Sequence, residues 1–117
     1  AHDTDNLDDA RRQLQWVLEK SDQPELALTA RLRLARLNLS AGDPDGALTL
    51  LESAEPGAFA AAFDEVKGDV HVAKSNIDQA RAAYERSLEA SDGGALRERI
   101  QMKLDDLGHL NFQPEGS

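Results

Sequence analysis

A short passage of this chain returns in altered form one repeat further on. Gly42-Asp43-Pro44-Asp45-Gly46-Ala47-Leu48 follows Leu34-Ala35-Arg36-Leu37. It aligns with Ser75-Asn76-Ile77-Asp78-Gln79-Ala80-Arg81, which follows Lys67-Gly68-Asp69-Val70. A period of about 34 residues with a turn at its centre is the mark of stacked helix–turn–helix units. Each unit buries its apolar face only against its neighbours, so such chains become open solenoids with long protein-binding surfaces. The repeat therefore points to a scaffold and away from a catalyst.

The pattern of breakers and apolar residues predicts six helices. The first covers 7–20, capped by Asn6, with Asp8 and Asp9 near the positive end of its dipole. Residues 1–6 are expected to fray. Pro24 opens a second helix over 24–41. Leu26, Leu28, Ala30, Leu32 and Leu34 alternate with polar residues there as a strand would. The run is long, however, and dominated by Ala, Leu and Arg, which favour helix. Gly42 closes it, and Asp43-Pro44 opens a third helix over 44–54. A fourth covers 58–74. Asn76 and Gln79 have capping-box spacing for a fifth that ends near residue 90. After the turn at 91–94, a sixth helix over 95–107 places Leu96, Ile100, Leu104 and Leu107 on one face, as a solenoid cap does. Residues 108–117 read as a flexible tail.

Within the two full units, small residues recur where helices must approach closely. These are Ala35 and Gly68 on the first helices and Ala47 and Ala80 on the second. Leu51 and Tyr84 fill the large position four residues on, followed by Ala54 and Ser87. This pattern resembles the tetratricopeptide repeat (TPR). The resemblance implies an all-α, right-handed α-α superhelix: a half repeat at 7–20, repeats at 24–57 and 58–92, and a capping helix, in a single domain over 7–107. The chain departs from the pattern in two ways: the usual aromatic at the start of each unit is Arg31 and Asp64, and the closing proline is early in one repeat (Pro56) and replaced by Asp92 in the other. Helix 7–20 matches only the second helix of a unit, so its partner is expected upstream of Ala1.

A narrower resemblance rests on Gln101-Met102-Lys103-Leu104-Asp105-Asp106-Leu107, with Lys67-Gly68-Asp69-Val70, Ala80-Arg81-Ala82-Ala83-Tyr84 and Leu32-Arg33-Leu34-Ala35-Arg36-Leu37. These segments are similar to the YfgM family of bacterial inner-membrane proteins. That resemblance implies a periplasmic TPR domain behind an N-terminal membrane anchor. It also implies partners in the SecYEG translocon and in the membrane-anchored periplasmic chaperone PpiD. Two other readings stay open: a holdase-type chaperone for unfolded clients, and a TPR adaptor of an unrelated pathway.

The first helices of a TPR array line its concave face. By register, Leu32, Arg36 and Leu39 in one repeat, and Glu65, Asp69 and Val72 in the next, are the expected protein-binding residues. The competing expectation is that the capping helix lies over part of this groove. Arg36 and Asp69 are equivalent positions, and a surface ion pair between them is favoured over a role for Arg36 in binding a partner carboxylate. Without an upstream helix, the face of Leu14, Val17 and Leu18 is expected to stay uncovered and to support a homodimer.

Charge and composition narrow the function. The formal charge is −9, from 13 basic and 22 acidic side chains. It is spread evenly along the chain, which disfavours a nucleic-acid phosphate backbone as partner. The chain has no cysteine, hence neither disulfides nor thiolate metal sites. His2, His71 and His109 are too far apart in sequence for a metal-ligand motif. No cofactor is expected, and no Gly-rich phosphate loop or nucleophile–base grouping suggests catalysis.

Overall fold

The computed structural model describes the backbone of residues 2–111 and the side chains of residues 7–109. The protein is all-α: six α-helices, one 3-10 turn and no strand among the described residues. The chain, expected to form a domain over 7–107, divides into two compact units, residues 1–57 and 58–117.

The first unit holds α1 (His2–Lys20), α2 (Pro24–Ser40) and α3 (Pro44–Glu52). Helix α1 begins at His2, earlier than the expected position 7, because neither Gly nor Pro interrupts residues 2–20. The backbone of 2–6 is therefore helical, not frayed, and Ala1 lies outside the described residues. Helix α2 packs against both α1 and α3. Contact on two sides explains its strand-like alternation: Ala30, Leu32, Leu34 and Ala35 are all buried, which widens the apolar face beyond a single stripe. At its end the Gly42 N–H donates to Leu39 O and the Asp43 N–H to Asn38 O. This is a Schellman closure with Gly42 at φ +87°. Asp43 then caps α3, its Oδ1 accepting from Gly46 N at 3.0 Å. Helix α3 stops at Glu52, short of the expected 54.

The second unit holds α4 (Ala60–Ala73), α5 (Ile77–Ala90) and α6 (Gly94–Asn111), with the 3-10 turn Gly57–Phe59 before α4. Its core is Phe63, Val66 and Val70 of α4 with Ala80, Ala83 and Tyr84 of α5, each no more than 2 % exposed. Gly68 lets the Tyr84 ring lie on the α4 backbone: a Cβ at this position would meet Tyr84 ring carbons at 2.3–2.8 Å. Ser87, at the other small position, donates its hydroxyl to Ala61 O at 2.6 Å. Ile100 and Leu107 of α6 complete a cluster with Ala80 and Tyr84, flanked by Val72, Ile77, Leu96 and Leu104. Helix α6 continues past the expected end at 107. Gly108 does not take the left-handed conformation that would close it. Of the expected tail, residues 108–111 are helical and 112–117 lie outside the described residues.

The turn between α4 and α5 repeats the closure of α2, with Ser75 at φ +63° in the place of Gly42. Ser75 N donates to Val72 O and Asn76 N to His71 O. The Asn76 N–H is thereby spent, so Gln79 has no donor to accept from. The expected capping box does not form: Asn76 makes no side-chain capping bond.

Candidate functional site

The residues expected to bind a partner fall into two different environments. Those in the second unit face α6 or pack on its cluster, Glu65 buried and Asp69 and Val72 half-buried. Glu65 is 1 % exposed and lies under α6. Its carboxylate accepts from Arg99 Nε at 2.5 Å and Arg99 Nη2 at 2.8 Å, and pairs with Lys103 Nζ at 2.9 Å. Asp69 accepts from Lys103 Nζ at 3.0 Å on both oxygens and from the Tyr84 hydroxyl at 2.5 Å. Lys103 Nζ also stands 5.9 Å from the Tyr84 ring centroid. Val72 packs on the α5–α6 cluster. Glu65, Asp69 and Val72, expected to bind a partner, help to seat the capping helix. The reason is charge and shape together. Arg99 and Lys103, one turn apart on α6, match Glu65 and Asp69, one turn apart on α4. The row Leu96, Ile100, Leu104 and Leu107 fills the apolar space beside them.

The network has electrostatic consequences. Burial alone pushes the Glu65 carboxyl up, but the hydrogen bonds and charges of Arg99 and Lys103 outweigh it and hold Glu65 down at about 2. Burial, then the bond donated to Asp69, pushes the Tyr84 phenol above its ordinary range.

The first unit stays open. Ala10, Gln13, Leu14 and Val17 of α1 face Arg33, Arg36, Leu37 and Ser40 of α2 across a groove of about 540 Å³. Its floor is aliphatic. Arg33 and Arg36 are exposed on its α2 side. Of the expected residues, Arg36 lines this groove, Leu39 is half-buried, and Leu32 is buried at 8 % exposure and belongs to the core. Leu14 and Val17 are half-buried groove residues and Leu18 is half-buried. The face expected to be uncovered is thus covered in part by α2. Trp16 beside it remains 64 % exposed.

Arg33 is the groove residue that the sequence left unassigned. Arg31, Arg33 and Arg36 read as a cluster scattered around a helix. The structure divides it: Arg31 reaches α3, donating to Leu50 O at 3.1 Å, while Arg33 and Arg36, one turn apart, share the groove. Arg99 and Lys103 also went unassigned. Their signal was legible as an i,i+4 basic pair in a capping helix facing an i,i+4 acidic pair. Among the described residues no His, Asp or Glu grouping could hold a metal ion, and no helix is long and apolar enough to cross a membrane.

Comparison with known proteins agrees with this architecture. The sequence is 30% identical over 105 residues to an ancillary SecYEG translocon subunit of Escherichia coli K12, covering 90% of this chain and 51% of that protein. Proteins of the same description from Buchnera aphidicola (subsp. Acyrthosiphon pisum) and Aggregatibacter actinomycetemcomitans are 26% and 30% identical. They cover 91% and 80% of this chain and 55% and 46% of their own lengths. The chain spans about half the length of the curated relatives it matches. No solved structure matched it. The family model described as a tetratricopeptide repeat-like domain matches residues 1–109. With that match reaching across all three helices of the first unit and nearly all of the second, the chain belongs to the tetratricopeptide repeat-like family.

Proposed function

We propose that this chain is a non-catalytic protein-interaction scaffold at the periplasmic face of the bacterial inner membrane. There it serves the SecYEG translocon and a membrane-anchored periplasmic chaperone. The observation that carries the proposal is the α1–α2 groove, an aliphatic trough edged by Arg33 and Arg36. Exposed aliphatic surface of this kind on a small domain marks a place where another protein sits. The relatives described as ancillary translocon subunits supply the pathway. Arg36, with Leu39 beside it on α2, is the proposed contact.

The test is affinity capture from detergent-solubilised bacterial envelope, with the chain as bait and Arg36→Glu as comparison. Reproducible enrichment of translocon subunits or the chaperone, reduced by Arg36→Glu, is the expected result. Enrichment of an unrelated complex would discard the pathway. Enrichment of the expected partners that ignores Arg36→Glu would move the contact off the groove.

A further inference from the structure

The turn between α5 and α6 is built differently from the closures after α2 and α4. Those closures each use one left-handed residue, Gly42 or Ser75. After α5, Ser91 is already extended, with φ −81° and ψ 151°. Gly93 and Gly94 then turn the chain back with φ +98° and +76° in succession. A Cβ at either glycine would meet nothing within 4 Å, so backbone conformation and not crowding calls for glycine at both. Two adjacent residues without a Cβ make this turn a hinge for α6.

The helix that the hinge carries is held by side chains. Ile100 and Leu107, 0 % and 1 % exposed, pack with Ala80 and Tyr84. Arg99 and Lys103 pair with Glu65 and Asp69. These contacts do not involve the turn, so an α6 arriving from another molecule makes them equally well. From this we infer that two copies of the chain exchange α6, with Arg99 and Lys103 of each copy pairing with the acidic seat of the other. The closed monomer and the exchanged dimer share these contacts and differ in the hinge. A short tether gives α6 an effective concentration on the order of mM, so the natural chain exchanges only near that level. An exchanged pair carries two α1–α2 grooves on one particle, which makes it bivalent. The inference goes beyond the scaffold reading and does not depend on it.

The test uses the whole chain and sedimentation equilibrium. Gly93→Val/Gly94→Val penalises the left-handed turn of the closed monomer and suits an extended hinge. It is expected to raise the dimer association constant over that of the natural chain by about hundredfold or more, with helix content by circular dichroism unchanged. A second arm locates the dimer contact. Glu65→Lys reverses the seat in one protein, and Arg99→Glu reverses the helix in another. Each variant alone sets like charges against each other within its own chain. Exchange between the two restores opposite charges at both seats. An equimolar mixture refolded together from urea is expected to sediment as a dimer that neither variant forms alone.

A helical valine variant that stays monomeric up to about 1 mM would overturn the exchange. So would a mixture that gains neither dimer nor helix content over its separate components, since any dimer would then form without α6. Should the valine variant lose its helix content, the mixture decides. Either failure leaves the scaffold reading to the capture experiment.

Discussion

Glu65→Gln is the substitution whose cost can be worked most directly from the structure. Glu65 ionises near 2 in the folded chain, against 4.5 as a free side chain. At about 1.4 kcal/mol for each tenfold, that gap corresponds to about 3 kcal/mol of folding stability. The folded value is the lower one, so this stability is fully present above about pH 5. It fades as pH falls toward 2, where the folded carboxylate also takes up a proton. Removing the charge strands neither cation completely: Lys103 keeps Asp69, and the Arg99 side chain is 50% exposed. The expected loss at pH 7 is therefore about 2–3 kcal/mol. Urea denaturation followed by far-ultraviolet circular dichroism, at pH 7 and pH 3 on both proteins, reads it. The stability gap should shrink by roughly 2 kcal/mol between the two pH values, because the natural chain loses what the variant never had. Other carboxylates titrate alike in both proteins and drop out of the difference. A gap at pH 7 no larger than that of an ordinary surface substitution, about 0.5 kcal/mol, would refute the claim that ion pairing at Glu65 holds α6 down. So would a gap equally wide at pH 3.

Four further substitutions test the geometry. Gly68→Ala drives a Cβ into the Tyr84 ring, which is 2 % exposed and tethered to Asp69, so about 2–3 kcal/mol should be lost in chemical denaturation with the m-value unchanged. Ser75→Gly relieves a left-handed residue at the closure where the other repeat already has Gly42, and should gain about 0.5–1 kcal/mol in the same assay. Asp43→Ala removes the cap accepted from Gly46 N and should cost about 1 kcal/mol, while Asn76→Ala, which loses no side-chain cap, should cost markedly less.

The helices were legible because their punctuation is local. Pro24, Gly42, Asp43-Pro44 and Pro56-Gly57 carry their backbone preferences wherever the chain folds, and each marks a helix end. Ala47, Ala80 and Gly68 were legible as crossing points because only small side chains allow that approach, as the Tyr84 ring over Gly68 shows. The capping box at Asn76 misled for a reason equally local but one step removed. The spacing of Asn76 and Gln79 is right, yet the preceding helix had already claimed the Asn76 N–H through its closure to His71 O. A cap motif read from spacing assumes that its donor is free, and in tightly turned repeats the previous helix decides that.

The site was harder to read because repeat register says which face a residue lies on but not what covers that face. Register put Asp69 and Arg36 at equivalent stations, with Glu65 one turn before Asp69, and the structure gives the two repeats opposite fates. What holds α6 over Glu65 and Asp69 is charge matched over distance. An acidic pair on α4 finds a basic pair far along the chain on α6, and an isolated buried carboxylate would have been too costly to leave unmatched. Once Glu65 is 1 % exposed, that half of the surface is committed to the fold. Arg33 faces no such compulsion, because an exposed guanidinium is solvated at little cost.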